Sequence, residues 1–139
     1  MARYRGRVSG PLLERLDLFV PVPVETKRVE RLWQTGSPER EATATVRSRA
    51  DAARAFARYT GRTALNARLE GEALRRHASL TAGAEQLLRQ AASKWALSAR
   101  AVHRTLRVAR TVADLAGSLT METDAVAEAL SFRHEVSRS

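Results

Sequence analysis

LSARAVHRTLRVARTVADL, residues Leu97–Leu115, decides the fold of this chain. Ser98 is a good N-cap residue, because its hydroxyl can accept a hydrogen bond from a free backbone N–H in the first helical turn. Apolar side chains then recur at spacings of four, three and four, as one buried face of a helix requires. They are Val102, Leu106, Ala109 and Ala113. The stretch therefore predicts an amphipathic helix at the centre of a helical bundle.

The opposite face of this helix is basic. It carries Arg100, Arg104 and Arg107, with His103 and Arg110 at its edge. One interpretation is a solvated face on an ordinary bundle helix, which is the usual place for charged side chains. The other is a surface that meets phosphate, because a guanidinium stays charged and offers a planar fork of donors to phosphate oxygens.

The order of residues is more specific than the pattern requires. Ser-Ala-Arg-Ala-x-His-Arg-x-Leu-x-Val-Ala-Arg-Thr-x-Ala-Asp-Leu resembles the C-terminal helical domain of magnesium-chelatase-related AAA+ ATPases, and most of all their ComM-like branch. In that family the arginine of Ser-Ala-Arg is the sensor 2 residue, which reaches from the lid to the nucleotide phosphates. The resemblance assigns this role to Arg100. A helix N-terminus, which also favours anions, suits such a residue.

A second resemblance lies near the start of the chain. Residues 6–18, Gly-Arg-Val-Ser-Gly-Pro-Leu-Leu-Glu-Arg-Leu-Asp-Leu, are similar to the segment that precedes the last core strand of the same ATPases. The family more often has aspartate in place of Glu14. Its arginine finger, donated in trans to the ATP of a neighbouring subunit, matches Arg15; such a residue stabilises charge on the transferred phosphoryl group. The strand predicted at Leu18–Val22 lacks its partner strands here, so we expect residues 1–24 to be disordered or docked against a helix or another chain.

The fold class predicted is all-α, a helical lid bundle preceded by a short extended remnant of a truncated α/β core. We divide the chain into the core remnant 1–24, a connecting helix and linker 25–38, the lid 39–133 and a tail 134–139. Turn and cap signals predict a helix over Glu25–Gln34, a long helix over Glu39–Tyr59, a short one over Glu72–Leu80, a helix capped by Thr81, a helix end at Gly117 and a last helix capped by Thr120.

Composition limits the function. The chain has 139 residues, no cysteine and a formal net charge of +9. No apolar run approaches the ~18 residues of a membrane span, so we expect a soluble cytoplasmic protein with no membrane partner. No phosphate-binding Gly-x-x-x-x-Gly-Lys-Ser/Thr loop is present and the three histidines are scattered, so no metal site is predicted. The fragment alone is expected to be inactive and without a cofactor, with ATP and Mg²⁺ bound only by the full-length protein.

The resemblance implies a lid that works with its own missing P-loop half and with neighbouring subunits of a ring oligomer. By family analogy the complete protein would be a DNA-remodelling or branch-migration motor of recombination and competence. The alternatives are a stand-alone basic helical module that binds nucleic acid, or the ATPase subunit of a magnesium chelatase. Residues predicted to contact nucleic acid or a neighbouring subunit, if they are not simply solvated, are Arg47, Arg54, Arg58, Arg104 and Arg107.

Overall fold

The computed structural model describes residues 15–22 and 41–133, and within these ranges the chain is all-helical, as predicted. Five α-helices and one 3-10 turn follow in order. They are α1 (Thr43–Tyr59), the 3-10 turn (Asn66–Arg68), α2 (Gly71–His77), α3 (Ala82–Lys94), α4 (Ala99–Leu115) and α5 (Thr123–Ser131). No helix in the described ranges combines the length and apolar character needed to cross a bilayer.

Helix α4 is the hub of the bundle, as the opening stretch predicts. It packs against α1, α2, α5 and the 3-10 turn, and α3 in turn packs against α5. The core between α3, α4 and α5 is built mostly from small residues, which let helix axes approach closely. Its largest fully apolar members are Leu88, Met121, Val126 and Leu130, set among alanines such as Ala109 and Ala129.

A tight corner joins α3 to α4. Trp95 ends α3, Ala96 adopts a left-handed conformation with φ +48°, and the Leu97 N–H returns to the Ala92 carbonyl at 2.9 Å. The Ser98 hydroxyl then accepts from the Ala101 N–H at 3.2 Å and starts α4. The predicted Ser98 cap is therefore confirmed. The corner places the first turn of α4 at one end of the bundle.

Of three other predicted helix boundaries, two are confirmed and one is wrong. The Thr81 hydroxyl caps α3 by accepting from the Ala84 N–H at 3.4 Å, and Gly117 follows the end of α4 with φ +66°, both as predicted. The predicted cap at Thr120 is wrong, because Glu122 precedes α5 and the Thr120 hydroxyl instead donates to that carboxylate at 3.1 Å. Pairing of the Met121 backbone with residues 79–81 draws this stretch out of the helix.

Two helices are shorter than predicted. Helix α1 begins at Thr43 rather than Glu39, and residues 41–42 are not helical. Helix α2 ends at His77 rather than Leu80, because Leu80 leaves the helix to form the bridge with Met121. The helix predicted over 25–34 lies outside the described residues, as do the junctions at 24–25 and 38–39, so the division into domains stays a prediction.

Residues 15–22 form neither a helix nor a strand; they contain a turn at 15 and a bend at 17. The Phe19 N–H donates to the Phe132 carbonyl at 3.0 Å, at the end of α5. The Asp17 carboxylate meets the Arg104 guanidinium of α4 at 3.0 Å, off the hydrogen-bonding direction. These contacts dock residues 15–22 on the bundle, which is one of the two outcomes expected for residues 1–24; the rest of that range lies outside the described residues.

Candidate functional site

Arg100 lies in the first turn of α4, directly after the corner between α3 and α4. Its side chain is exposed, and it forms no ion pair or hydrogen bond with any described residue. The backbone N–H groups of Ala99 and Arg100 have no acceptor within the helix, since only later residues can bond to carbonyls of the preceding turn. A free guanidinium therefore lies beside unsatisfied N–H groups and the positive end of the helix dipole, where an anion is favoured.

The next two arginines along the same face are engaged inside the chain. Arg104 is only 12% exposed and faces Asp17. Arg107 is 15% exposed; its Nε donates to the Leu69 carbonyl at 2.8 Å and its Nη1 to the Ala67 carbonyl at 3.2 Å. These contacts fasten residues 15–22, the 3-10 turn and Leu69 after it to α4. They leave little of either guanidinium for an outside partner.

Arg110 differs from the prediction most of all. Placed at the edge of the solvated face by the helical pattern, it is 1% exposed. Its Nε donates to Asp114 Oδ1 at 3.1 Å, its Nη1 to the Leu119 carbonyl at 2.7 Å and its Nη2 to the Ser118 carbonyl. Arg110 thereby closes the C-terminal end of α4 against the turn that follows it.

Asp114 is the centre of a buried polar network that sequence reasoning missed. Besides Arg110, it accepts from Arg62 Nη2 and, through Oδ2, from Asn66 Nδ2 at 2.6 Å. Asn66 opens the 3-10 turn and ties that turn to α4. The spacing of Arg110 and Asp114, four apart on a helix, was the available signal for a pair. Nothing in the sequence pointed to Arg62.

The network shifts two pKa values. Burial lowers the pKa of the Arg110 guanidinium, against the opposing effect of Asp114. Burial also lowers the pKa of His77 below its ordinary 6.5, and the positive charges of Arg62, Arg76 and Arg110 lower it further, while Asp114 alone raises it. Positive charge therefore prevails in this part of the bundle.

Arg15 opens the docked segment and is exposed, with no ion pair to any described residue. It lies two residues before Asp17, whose contact with Arg104 fixes the segment against α4. Arg15 and Arg100 are thus carried by parts of the chain that touch one another. Both residues are exposed.

The arginines of α1 form a separate surface. Arg47, Arg54 and Arg58 are all exposed, and Arg54 makes only a weak exposed contact with Asp51 at 3.4 Å. Helix α1 has no fully buried residue and packs on α4. This surface remains accessible to a polyanion. Among the described residues, no group of histidine and acidic side chains is arranged to hold a metal ion.

The chain is similar to known proteins over most of its length. Residues 40–133 match the family described as magnesium chelatase, subunit ChlI C-terminal. An uncharacterized protein of Mycobacterium tuberculosis is 41% identical over 98% of this chain, competence protein ComM of Haemophilus influenzae is 36% identical over 94%, and the uncharacterized protein YifB of Escherichia coli is 35% identical over 94%. The chain spans 27% of the first relative and 25% of the other two, about a quarter of their length.

Proposed function

This chain belongs to the family of magnesium chelatase subunit ChlI C-terminal domains, and from that premise we propose that it is the helical lid of a ring-forming AAA+ ATPase. In this proposal Arg100 is the sensor 2 residue of its own subunit. Arg15 is the arginine finger that completes the site of the neighbouring subunit. ATP and Mg²⁺ bind to a P-loop domain of the complete protein.

One observation supports this assignment above the others. Helix α4 carries four arginines, and within the described residues three of them are held by partners in the chain while Arg100 has none. Arg107 and Arg110 each hold a carbonyl or carboxylate of the chain, and Arg100 has no such structural contact among the described residues. A role toward a phosphate outside this chain requires the free, exposed guanidinium that Arg100 has.

The chemistry required of these residues is electrostatic. ATP hydrolysis places growing negative charge on the transferred phosphoryl group and on the leaving phosphate, and fixed positive groups lower the barrier by stabilising it. Arg100 provides such a charge on a rigid helix whose position is set by the Ser98 cap and the corner before it. Arg15 provides one on an irregular segment held to the same helix through Asp17.

A subunit-mixing experiment in the complete protein tests both assignments. One subunit type has an inactivated P-loop, and the other carries either Arg15→Ala or Arg100→Ala. If Arg15 acts in trans, mixed rings with the Arg15→Ala subunit recover ATPase activity, because the P-loop-inactive neighbour supplies an intact finger. Mixed rings with the Arg100→Ala subunit recover none, because sensor and P-loop must belong to one subunit. The opposite pattern would exchange the two roles and refute the proposal.

For the complete protein we propose DNA as the substrate of the motor, rather than a porphyrin. The proposal of DNA is supported by the relative named a competence protein. The exposed α1 arginines supply a surface for phosphate backbones. Duplex and single-stranded DNA titrated over a salt series measure this contribution, since each phosphate contact adds to a negative salt slope. Micromolar binding by the isolated chain, lost on replacing Arg47, Arg54 and Arg58 by glutamine, would support DNA as the substrate and α1 as a contact surface. Absence of binding at low salt would contradict the proposed α1 surface.

A further inference from the structure

A small polar cavity of about 160 Å³ lies between α1, α2 and the C-terminal end of α4. Its polar lining is dominated by cationic groups and hydroxyls, and no carboxylate lines it. The polar lining residues are Thr60, Arg62, Arg76, His77, Ser79 and Arg110. A water molecule takes roughly 30 Å³ in the liquid, so the cavity has room for a tetrahedral oxyanion together with water.

Charge in the wall of this cavity is unbalanced. Arg62 and Arg110 are 4% and 1% exposed, and both donate to the single carboxylate of Asp114. Two buried cations therefore share one anion, although buried charges in proteins are as a rule paired. Arg62 Nε is buried and has no hydrogen-bond partner within the described residues. An orphaned buried donor of this kind calls for a specific explanation.

The mouth of the cavity carries further positive charge. Arg76 contributes its exposed guanidinium, which pairs with Glu72 at 3.2 Å, an exposed pair of the kind that solvent weakens. His77 contributes an imidazole ring that is only partly exposed. Within the part of the chain that the structure describes, the carboxylates paired with these arginines are Asp114, which Arg62 and Arg110 share, and Glu72, which does not line the cavity.

We propose that this cavity binds a phosphate group, with the exposed Arg76 guanidinium as its principal contact, His77 and Ser79 at its rim, and the buried Arg62 and Arg110 attracting the anion from the wall behind. The bound phosphate neutralises the surplus charge of the Arg62–Asp114–Arg110 network. The site is distinct from Arg100, because Arg110 lies ten residues further along α4, roughly 15 Å at 1.5 Å per residue. It therefore goes beyond the nucleotide contact assigned to the lid. Free phosphate and the backbone phosphate of a nucleic acid share this chemistry.

Titration of the isotopically labelled 139-residue chain with inorganic phosphate tests the site. The experiment is followed by NMR at constant ionic strength, with the His77 ring and the arginine Nε–H signals as reporters. We expect saturable shifts of the His77 and Arg62 signals. A parallel titration with a short DNA duplex identifies the source. Shifts of the same signals by the duplex indicate backbone phosphate, and shifts by inorganic phosphate alone indicate a free anion.

A matched pair of variants makes the test specific. Arg76 and Arg89 are both exposed and both pair with a glutamate one turn earlier, but only Arg76 borders the cavity. Arg76→Gln is expected to weaken phosphate binding about fivefold to tenfold, and Arg89→Gln to leave it unchanged. Because neither residue is buried, both variants should fold. Absence of saturable shifts with either titrant, or equal weakening by the two variants, would overturn the proposal.

Discussion

Replacing Asp114 with asparagine is the sharpest perturbation of the buried network, because it removes the one negative charge between two buried guanidinium groups. Asp114 accepts hydrogen bonds from Arg62, from Arg110 and from Asn66. An asparagine keeps one acceptor oxygen but turns an NH₂ group toward a donor, whichever way the amide lies. The substitution thus leaves both cations uncompensated and creates a clash between donors.

The magnitude follows from the burial of the partners. Removing one member of a buried ion pair costs about 3–5 kcal/mol, because the remaining charge is left without compensation. A small domain has about 5–15 kcal/mol of stability in all. We therefore expect Asp114→Asn to lower the free energy of unfolding by at least ~3 kcal/mol and to leave a marginally folded chain.

The assay is denaturant unfolding followed by helical circular dichroism, with two comparison variants. Glu85→Gln, which removes an exposed pair with Arg89, should cost less than ~1 kcal/mol. Arg62→Met should cost less than Asp114→Asn, because it leaves one buried cation facing one buried carboxylate. An Asp114→Asn variant within about 1 kcal/mol of the unmodified chain, or an Arg62→Met variant that is the less stable of the two, would refute this account of the network.

Three further predictions concern pH, capping and docking. The pKa of His77 in the folded chain is lowered below 6.5, so as pH falls the unfolded chain protonates His77 before the folded chain does. The contribution of His77 to stability is therefore complete above pH 6.5 and declines as pH falls below it. His77→Gln should remove this contribution from the pH dependence of the melting temperature, and an unchanged profile would contradict the prediction. Ser98→Ala, which deletes the acceptor for the Ala101 N–H, should cost about 0.5–2 kcal/mol in urea unfolding, and no measurable loss would show that the cap is unimportant. Asp17→Asn, which breaks the contact with Arg104, should speed hydrogen exchange in residues 15–22 while the core of α4 stays protected, and equal exchange rates would argue against docking through this pair.

Local signals in the sequence were sufficient for much of the fold. Periodic apolar residues located α4, and hydroxyl residues before helical stretches located the caps at Ser98 and Thr81. The cap predicted at Thr120 was wrong because a residue type that favours helix caps forms no cap when the backbone of the next residue pairs with another part of the chain. Backbone pairing of Met121 with residues 79–81 is a contact across some forty residues, which no local pattern encodes.

The candidate site could be predicted only in part, because its contacts also join residues that are distant in sequence. Arg100 was identified from the motif Ser-Ala-Arg, and its exposed position is consistent with the role assigned to it. The helical wheel could not tell Arg100 from Arg104, Arg107 and Arg110, because all four lie on or beside one face. The four arginines differ in the partners that other parts of the chain provide to each side chain. Those partners, such as Leu69 and Asp17, are distant in sequence.

The most direct test of the central claim is steady-state ATP turnover by the complete protein carrying Arg100→Ala, beside the exposed control Arg89→Ala. If Arg100 meets a nucleotide phosphate, its loss should lower turnover about tenfold or more, corresponding to at least ~1.4 kcal/mol of lost transition-state stabilisation, while circular dichroism shows the same helical content. The control should turn over ATP at the unmodified rate. Turnover by the Arg100→Ala protein equal to that of the control would contradict the account.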